Sequence, residues 1–122
     1  MNFTRTLAIA LLASATLAAP AMAECVYPKT PTTAPNGTTA TETEMIAGKQ
    51  AFDVYQKDVN AYLACLDNEA NARVTEAGDN ADLVKQIKVM AAKKHNAAID
   101  ELQARADEFN QQLRAYKNKN KS

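Results

Sequence analysis

The sequence predicts an all-α fold: a long antiparallel two-helix hairpin that carries an extended N-terminal arm tied back by a disulfide. Three observations predict it. Beyond residue 41 the chain has no proline, and its apolar residues recur three and four positions apart, as on one face of a helix. This repeat is interrupted near Gly78, where two helices of similar length would separate. Two cysteines, Cys25 and Cys65, are available to join the arm to the hairpin.

Residues 1–23 have the organisation of a cleavable signal peptide. Arg5 supplies the positive start, residues 7–17 form an apolar core too short to span a bilayer, and Ala-Met-Ala at 21–23 is a small-residue cleavage site. We therefore expect cleavage after Ala23 and a mature protein that begins at Glu24, in the periplasm or secreted from the cell. A bacterial lipoprotein needs cysteine at that first position, so Glu24 argues against a lipid anchor.

The arm, residues 24–41, is rich in proline and threonine and has few side chains able to form a core. This composition favours an extended chain with a turn at Asn36 and Gly37. In an oxidising compartment we expect Cys25 and Cys65 to form one structural disulfide; a redox or intermolecular role is the alternative. The geometry permits the bridge, because Cys65 lies roughly 35 Å along the first helix and the extended arm reaches roughly 56 Å.

The helical hairpin is predicted over residues 42–117, with its turn near 75–80 and a basic tail over 118–122. Thr41 and Glu44 match a capping box at the start of the first helix, and Gly78 matches the left-handed residue that follows a helix. Similar helix lengths across a short turn favour antiparallel packing in the manner of a coiled coil. The apolar stripes are Met45, Phe52, Tyr55, Val59, Tyr62 and Leu66 on the first helix, and Val84, Ile87, Ala91, Ala92, His95, Ile99, Leu102, Ala106, Phe109, Leu113 and Tyr116 on the second.

Composition argues against several classes of function. With 14 basic and 14 acidic residues the chain offers no net positive charge to nucleic acid, and no apolar stretch after the signal peptide is long enough to cross a membrane. A single histidine, His95, is too few for a zinc site, and no glycine-rich phosphate loop exists. The carboxylate pairs Asp100–Glu101 and Asp107–Glu108 fall on the solvated face of the second helix. We therefore expect neither an enzyme nor a bound cofactor or metal.

Particular residues of the arm and of both helices also form a recognisable pattern. Its more specific marks are Cys25-x-x-Pro28 in the arm and Tyr62-Leu63-x-Cys65-Leu66 in the first helix; the others are Pro31, the segment from Pro35 to Thr41, Glu44-Met45, Tyr55 and Phe109-Asn110. With this pattern the chain resembles a family of small, exported, uncharacterised proteins of Gram-negative bacteria. The resemblance covers nearly the whole mature chain, and it implies export and a similar organisation but no particular activity.

Two functional classes remain, and the first is a structural or interaction protein of the envelope. A two-helix hairpin buries side chains in only one seam, so a second copy or another envelope protein would supply the burial that it lacks. The partner-helix interface would include Phe52, Tyr55, Tyr62, Ile99, Leu102, Phe109, Leu113 and Tyr116. The same residues are the natural core of the hairpin, and the sequence does not assign each of them to core or to docking surface.

The second class is a binder of the envelope surface, either peptidoglycan or anionic lipid. Positive charge is concentrated beside Tyr116 near the C-terminus, on Arg114, Lys117, Lys119 and Lys121. This end loosely resembles that of the major outer-membrane lipoprotein, which is tied to the cell wall. That family ends on its linking lysine and carries a lipobox, whereas this sequence ends on Ser122 and has no lipobox.

Overall fold

The computed structural model of the protein describes residues 24–121, so the signal peptide expected over residues 1–23 lies outside the described residues. The described part consists of an extended arm and two long helices, α1 (Glu42–Ala77) and α2 (Ala81–Lys119). The two helices pack against each other, and the arm is joined to α1 by a disulfide between Cys25 and Cys65. The predicted fold class is therefore confirmed: an all-α antiparallel hairpin with an extended arm tied back by a disulfide.

A reciprocal pair of hydrogen bonds defines the start of α1. The Glu44 amide donates to Thr41 Oγ1 (3.3 Å), and the Thr41 amide donates to the Glu44 carboxylate (2.7 Å), which is the predicted capping box. The backbone hydrogen bond from Thr41, together with the bond from its hydroxyl, lowers the pKa of Glu44. The capping box therefore fixes the residue at which the arm ends and the hairpin begins.

The turn between the helices contains Gly78 and the cap of α2. Gly78 has a φ of 55°, a conformation that favours glycine, and its amide donates to the Thr75 carbonyl (3.3 Å). Asn80 caps α2, because its Oδ1 accepts a hydrogen bond from the Leu83 amide (3.1 Å). So short a turn returns α2 antiparallel to α1. From there α2 continues to Lys119, and part of the predicted basic tail is therefore helical.

The core of the hairpin consists of two small clusters and of the buried side chains Leu66 and Ile87. Near the open end, where the arm meets α1, Met45 packs with Phe109 and with Ala40 of the arm. In the middle of the hairpin, Val59 of α1 packs with Tyr55 and with Ala98 of α2. Val59 is completely buried, and its small partner lets the two helices approach closely.

The apolar stripe of α2 differs from the predicted one at two positions. Ala92 is exposed and Ile99 is 41 % exposed, whereas Ala98 is only 1 % exposed. Tyr55 and Val59 fill the space opposite, so the small side chain of Ala98 faces α1 there. Ile99 follows about 100° further around the helix and is turned out of the seam.

The outer surface of the hairpin is mostly polar, with ion pairs between successive turns. Glu69 pairs with Arg73 and Glu101 with Arg105, and on α1 Asp53 pairs with Lys49 (2.7 Å). Pairs as exposed as Lys49–Asp53 contribute little to stability. Within residues 24–121 neither helix has an apolar stretch of the length that is needed to cross a membrane.

Candidate functional site

The arm lies along one face of the hairpin, over the groove between α1 and α2. It begins at Cys25, whose Cα lies 5.8 Å from that of Cys65 near the middle of α1, and it ends at Thr41. The arm therefore covers the half of the groove toward the open end of the hairpin. We call this half the open-end groove.

Three tyrosines fix the arm just after the disulfide. The hydroxyls of Tyr27 and Tyr55 are 2.7 Å apart and hydrogen-bonded, and the ring of Tyr27 meets the ring of Tyr62 edge-on, with centroids 5.2 Å apart. Burial and the hydrogen bond to Tyr55 raise the pKa of Tyr27 well above its ordinary value. Tyr55 and Tyr62, both predicted for a partner interface, thus contact the arm of their own chain.

Side-chain oxygens of α2 accept backbone N–H groups of the arm. The Ala34 amide donates to Glu108 Oε1 (3.2 Å), and the Gly37 amide donates to Gln112 Oε1 (2.9 Å). The backbone N–H groups of an extended segment have no hydrogen-bond partners within that segment, so these two side chains take the place of water as acceptors. The hairpin thereby recognises an extended segment through its backbone.

Arg105 orients the carboxylate that binds the arm. Its guanidinium donates to Glu101 Oε1 and to Glu108 Oε2, both at 2.9 Å, and these two carboxylates raise the pKa of Arg105. The prediction of a solvated face holds for Asp100 and Asp107, which are exposed. It is wrong for Glu101 and Glu108, which are half-buried, because the periodicity of α2 does not reveal where the arm lies.

Two glycines allow the arm to approach the helices closely. A Cβ atom at Gly37 would run into the backbone of Gln112, and one at Gly48 would lie 2.6 Å from Cδ and 2.7 Å from Cγ of Pro35. Glycine inside a helix is less stable than alanine by about 1 kcal/mol, and the contact with Pro35 gives Gly48 a packing reason. An isolated glycine in a helical pattern was the sequence signal that could have located this contact.

An open cleft of about 420 Å³ lies between the arm and the two helices. Pro31 and Pro35 of the arm form one wall, and Phe52 of α1 and Phe109 of α2 stack with centroids 6.4 Å apart in the opposite wall. Arg105, already bonded to two carboxylates, supplies a polar edge. The cleft is therefore mostly apolar, and the charge at its edge is compensated.

The eight residues predicted for a partner-helix interface are mostly packed within the chain. Tyr55 and Phe109 are buried in the two core clusters. Phe52, Tyr62, Leu102, Leu113 and Tyr116 are half-buried against the core or the arm. Of this set only Ile99 is exposed.

The four basic residues near the C-terminus have different environments. Lys119 Nζ donates to the Ala40 carbonyl (2.8 Å) and lies 4.9 Å from the centre of the Tyr116 ring, so this lysine holds the end of the arm. The other three are exposed on or beyond the last turns of α2: Arg114, Lys117 and Lys121.

Toward the turn, beyond Cys65, both helices line a separate small hollow of about 20 Å³. We call it the turn-end groove, and its lining residues are Leu66, Glu69, Ala70 and Arg73 from α1, and Ile87, Met90, Ala91 and Lys94 from α2. Sequence reasoning missed this surface, because a hollow between two helices is visible only once their packing is known.

The side chains that line the turn-end groove differ in exposure. Leu66 and Ile87 belong to the core and are only 3 % and 8 % exposed, whereas Met90 is 53 % exposed. Leu83, two turns nearer the start of α2, is 42 % exposed.

The remaining predicted feature, His95, is half-buried in the seam of the hairpin. Among residues 24–121 no three histidine, cysteine, aspartate or glutamate side chains come together as metal ligands. The open-end groove and the turn-end groove are therefore the features from which a function can be argued. No protein-family model, curated protein or solved structure matches this chain.

Proposed function

We propose that this protein is a non-enzymatic interaction module that presents the turn-end groove to a partner protein of the bacterial envelope. One observation carries the proposal: Met90, which lines the turn-end groove, is 53 % exposed, and Leu83, two turns away on the same helix, is 42 % exposed. Apolar side chains beside a concave strip with charged residues at its edge are typical of a protein-binding surface.

The polar groups of the open-end groove support a binding role over a catalytic one. Glu108 accepts hydrogen bonds from Ala34 and Arg105, and Gln112 accepts one from Gly37. These side chains are occupied in holding the arm. The hairpin thus already binds one extended segment, and the same kind of recognition is available to a partner.

The proposal includes export of the chain after cleavage behind Ala23, into the periplasm or out of the cell. The Cys25–Cys65 disulfide supports this location, since such bonds persist in oxidising compartments. The proposal also includes membership of the exported Gram-negative family that the Cys25-x-x-Pro28 arm resembles.

Site-specific photo-cross-linking in intact cells tests the proposal. A photoreactive residue in place of Met90 or Leu83 should capture one dominant foreign protein, identified by mass spectrometry after denaturing purification. The matched control is Val54, which is 60 % exposed on α1 but does not line the groove. Capture of the same proteins from all three positions, or of none, would contradict the proposal.

A second candidate function is binding to the envelope surface through the exposed cations Arg114, Lys117 and Lys121. The observation in its favour is that only Lys119 of the predicted basic group is engaged with the arm. Each cation near an anionic membrane adds about 1 kcal/mol of attraction. Co-sedimentation with phosphatidylglycerol vesicles should therefore weaken when Arg114, Lys117 and Lys121 are all replaced by glutamine, which leaves Lys119 on the arm; unchanged sedimentation would exclude this function.

A further inference from the structure

We infer that the open cleft between the arm and the two helices binds a small aromatic molecule that carries one positive charge. The cleft has a volume of about 420 Å³, which lies within the range of about 300 to 1,000 Å³ that is usual for small-molecule sites. It shares no lining residue with the turn-end groove. The inference therefore goes beyond the proposed function, and either of the two can fail without the other.

The walls of the cleft are made largely of rings. Pro31 and Pro35 supply two pyrrolidine rings from the arm, and Phe52 and Phe109 supply two phenyl rings whose planes differ by 8°. The two walls come together at Gly48, where a Cβ atom would lie 2.6 Å from Pro35 and 3.4 Å from Phe109. Aromatic rings pack favourably on the faces and edges of other aromatic rings. These walls therefore favour a ligand with a flat aromatic body.

Between Glu44 and Phe52, the residues of α1 that line the cleft are small. They are Ala47, Gly48 and Ala51, and both alanines are exposed. Their small side chains leave open the space that a ligand would occupy. A large side chain at Ala51 would take up part of this space.

The charged residues that line the cleft favour a cation. They are Glu44, Arg105 and Glu108, so the lining has one carboxylate more than it has cations. Arg105 is already compensated, because it donates to Glu101 and Glu108 at 2.9 Å. The surplus negative charge therefore belongs to Glu44, and hydrogen bonds from Thr41 lower the pKa of Glu44, which keeps it ionised at neutral pH.

The neighbouring charges leave this balance unchanged. Glu101 adds one negative charge beside Arg105, and Lys119, which lies close enough to Glu44 to lower its pKa, adds one positive charge. A cationic ligand would thus meet a net negative site and phenyl rings, whose faces attract cations. An anionic ligand would meet the same negative charge and a guanidinium that two carboxylates already hold.

A titration of the full mature, oxidised protein with three matched probes tests the inference. The probes share a naphthalene ring and differ in charge: naphthylmethylammonium is the cation, naphthylmethanol the neutral alcohol and naphthoate the carboxylate. Amide chemical shifts should change within residues 32–36, 47–52 and 105–109 when the cation is added. The cation should bind about fivefold more tightly than the alcohol, and the alcohol about fivefold more tightly than the carboxylate, since each step changes the charge near Glu44 by one unit.

Two tryptophan variants separate the cleft from the rest of α1. Ala51→Trp should weaken binding of the cation at least about tenfold, because the indole occupies the space of the ligand. Ala61→Trp is the matched control and should leave binding nearly unchanged, since Ala61 is also exposed on α1 but does not line the cleft. Far-UV circular dichroism confirms that each variant is folded before its titration.

Two glutamine variants test the role of the surplus charge. A capping box accepts glutamine in place of glutamate, so Glu44→Gln should leave the start of α1 intact. It should reduce the preference for the cation over the alcohol from about fivefold to less than about twofold. Glu42→Gln removes a charge from the same turn of α1, but Glu42 does not line the cleft, so this control should keep the preference nearly unchanged.

Several results would overturn the inference. They are no shift of the cleft residues at millimolar cation, equal binding to the two tryptophan variants, and equal effects of the two glutamine variants. Binding of the alcohol or the carboxylate as tight as that of the cation would also overturn it, since the site would then not select a positive charge. In each of these cases cross-linking from Met90 tests the proposed function separately.

Discussion

Replacement of Gly48 by alanine should have opposite effects on the two segments that meet there: it favours the helix α1 but displaces Pro35 of the arm. In an isolated helix this change stabilises, because alanine exceeds glycine in helix propensity by about 1 kcal/mol. In this protein the new Cβ would lie 2.6 Å and 2.7 Å from two ring carbons of Pro35, well inside normal contact distance. We therefore expect Gly48→Ala to destabilise the protein.

The magnitude follows from how the overlap is relieved. The ring of Pro35 cannot rotate away, so the arm itself must move outward by about 1 Å, and overpacking of this kind costs about 1 to 3 kcal/mol. The Ala34 amide, 3.2 Å from Glu108, would move out of hydrogen-bond distance at a further cost of about 1 kcal/mol. After the gain of about 1 kcal/mol in helix propensity, a net loss of about 1 to 3 kcal/mol remains.

A double-mutant cycle in urea, followed by circular dichroism at 222 nm, measures this effect. Pro35→Ala removes both ring carbons that the new Cβ would meet, so Gly48→Ala in that background should stabilise by about 1 kcal/mol. The coupling energy between the two sites should then be about 2 to 4 kcal/mol. Hydrogen exchange at the Ala34 amide should accelerate in Gly48→Ala alone.

The result that refutes this reasoning is a Gly48→Ala protein stabilised by about 1 kcal/mol in both backgrounds. The coupling energy would then be close to zero. Pro35 would then not be seated on α1 in solution.

Three further predictions concern the bonds that hold the arm and the first cap. Removing the disulfide by Cys25→Ser with Cys65→Ser should lower the free energy of unfolding by about 3 to 4 kcal/mol, since the bridge closes a loop of 40 residues; an unchanged urea midpoint would contradict this. The lowered pKa of Glu44 means that the stability from its capping bonds is complete above the ordinary value of 4.5 and is lost as the pH falls through the lower folded-state pKa. The urea midpoint of Glu44→Gln should therefore fall less between pH 5 and pH 2.5 than that of the native protein, and parallel curves would rule the bonds out as the cause. Burial and the hydrogen bond to Tyr55 raise the pKa of Tyr27. The stability linked to this shift is therefore complete below the ordinary tyrosine value of 10.0 and is lost as the pH rises above it. Tyr27→Phe should lower the free energy of unfolding by about 1 kcal/mol at pH 7, and the variant should lose less stability than the native protein as the pH rises above 10. An equally steep loss in the variant would show that other groups cause it.

Local signals in the sequence predicted the ends of the helices and their arrangement. The capping box at Thr41 and Glu44 and the positive φ of Gly78 depend on a few neighbouring residues, and the structure confirms both. The Cys25–Cys65 pairing was also predictable, because the chain has only two cysteines and the arm is long enough to reach.

Features that depend on two distant segments were less predictable. The stripe through Ile99 was wrong by one position, because Val59 and Tyr55 on the other helix determine that Ala98 faces inward. Glu108 was expected on a solvated surface, yet it accepts a hydrogen bond from Ala34, 74 residues earlier in the chain. Neither contact can be predicted from the spacing of apolar residues along α2.

The sequence by itself determined an all-α hairpin, its caps, its disulfide and an extended arm, since each follows from local propensity or from counting residues. Only the tertiary structure decided which face of the hairpin the arm covers, and which apolar side chains, such as Met90, stay exposed. The physical reason is that an extended arm makes no internal hydrogen bonds, so its course depends on distant partners such as Glu108 and Gln112.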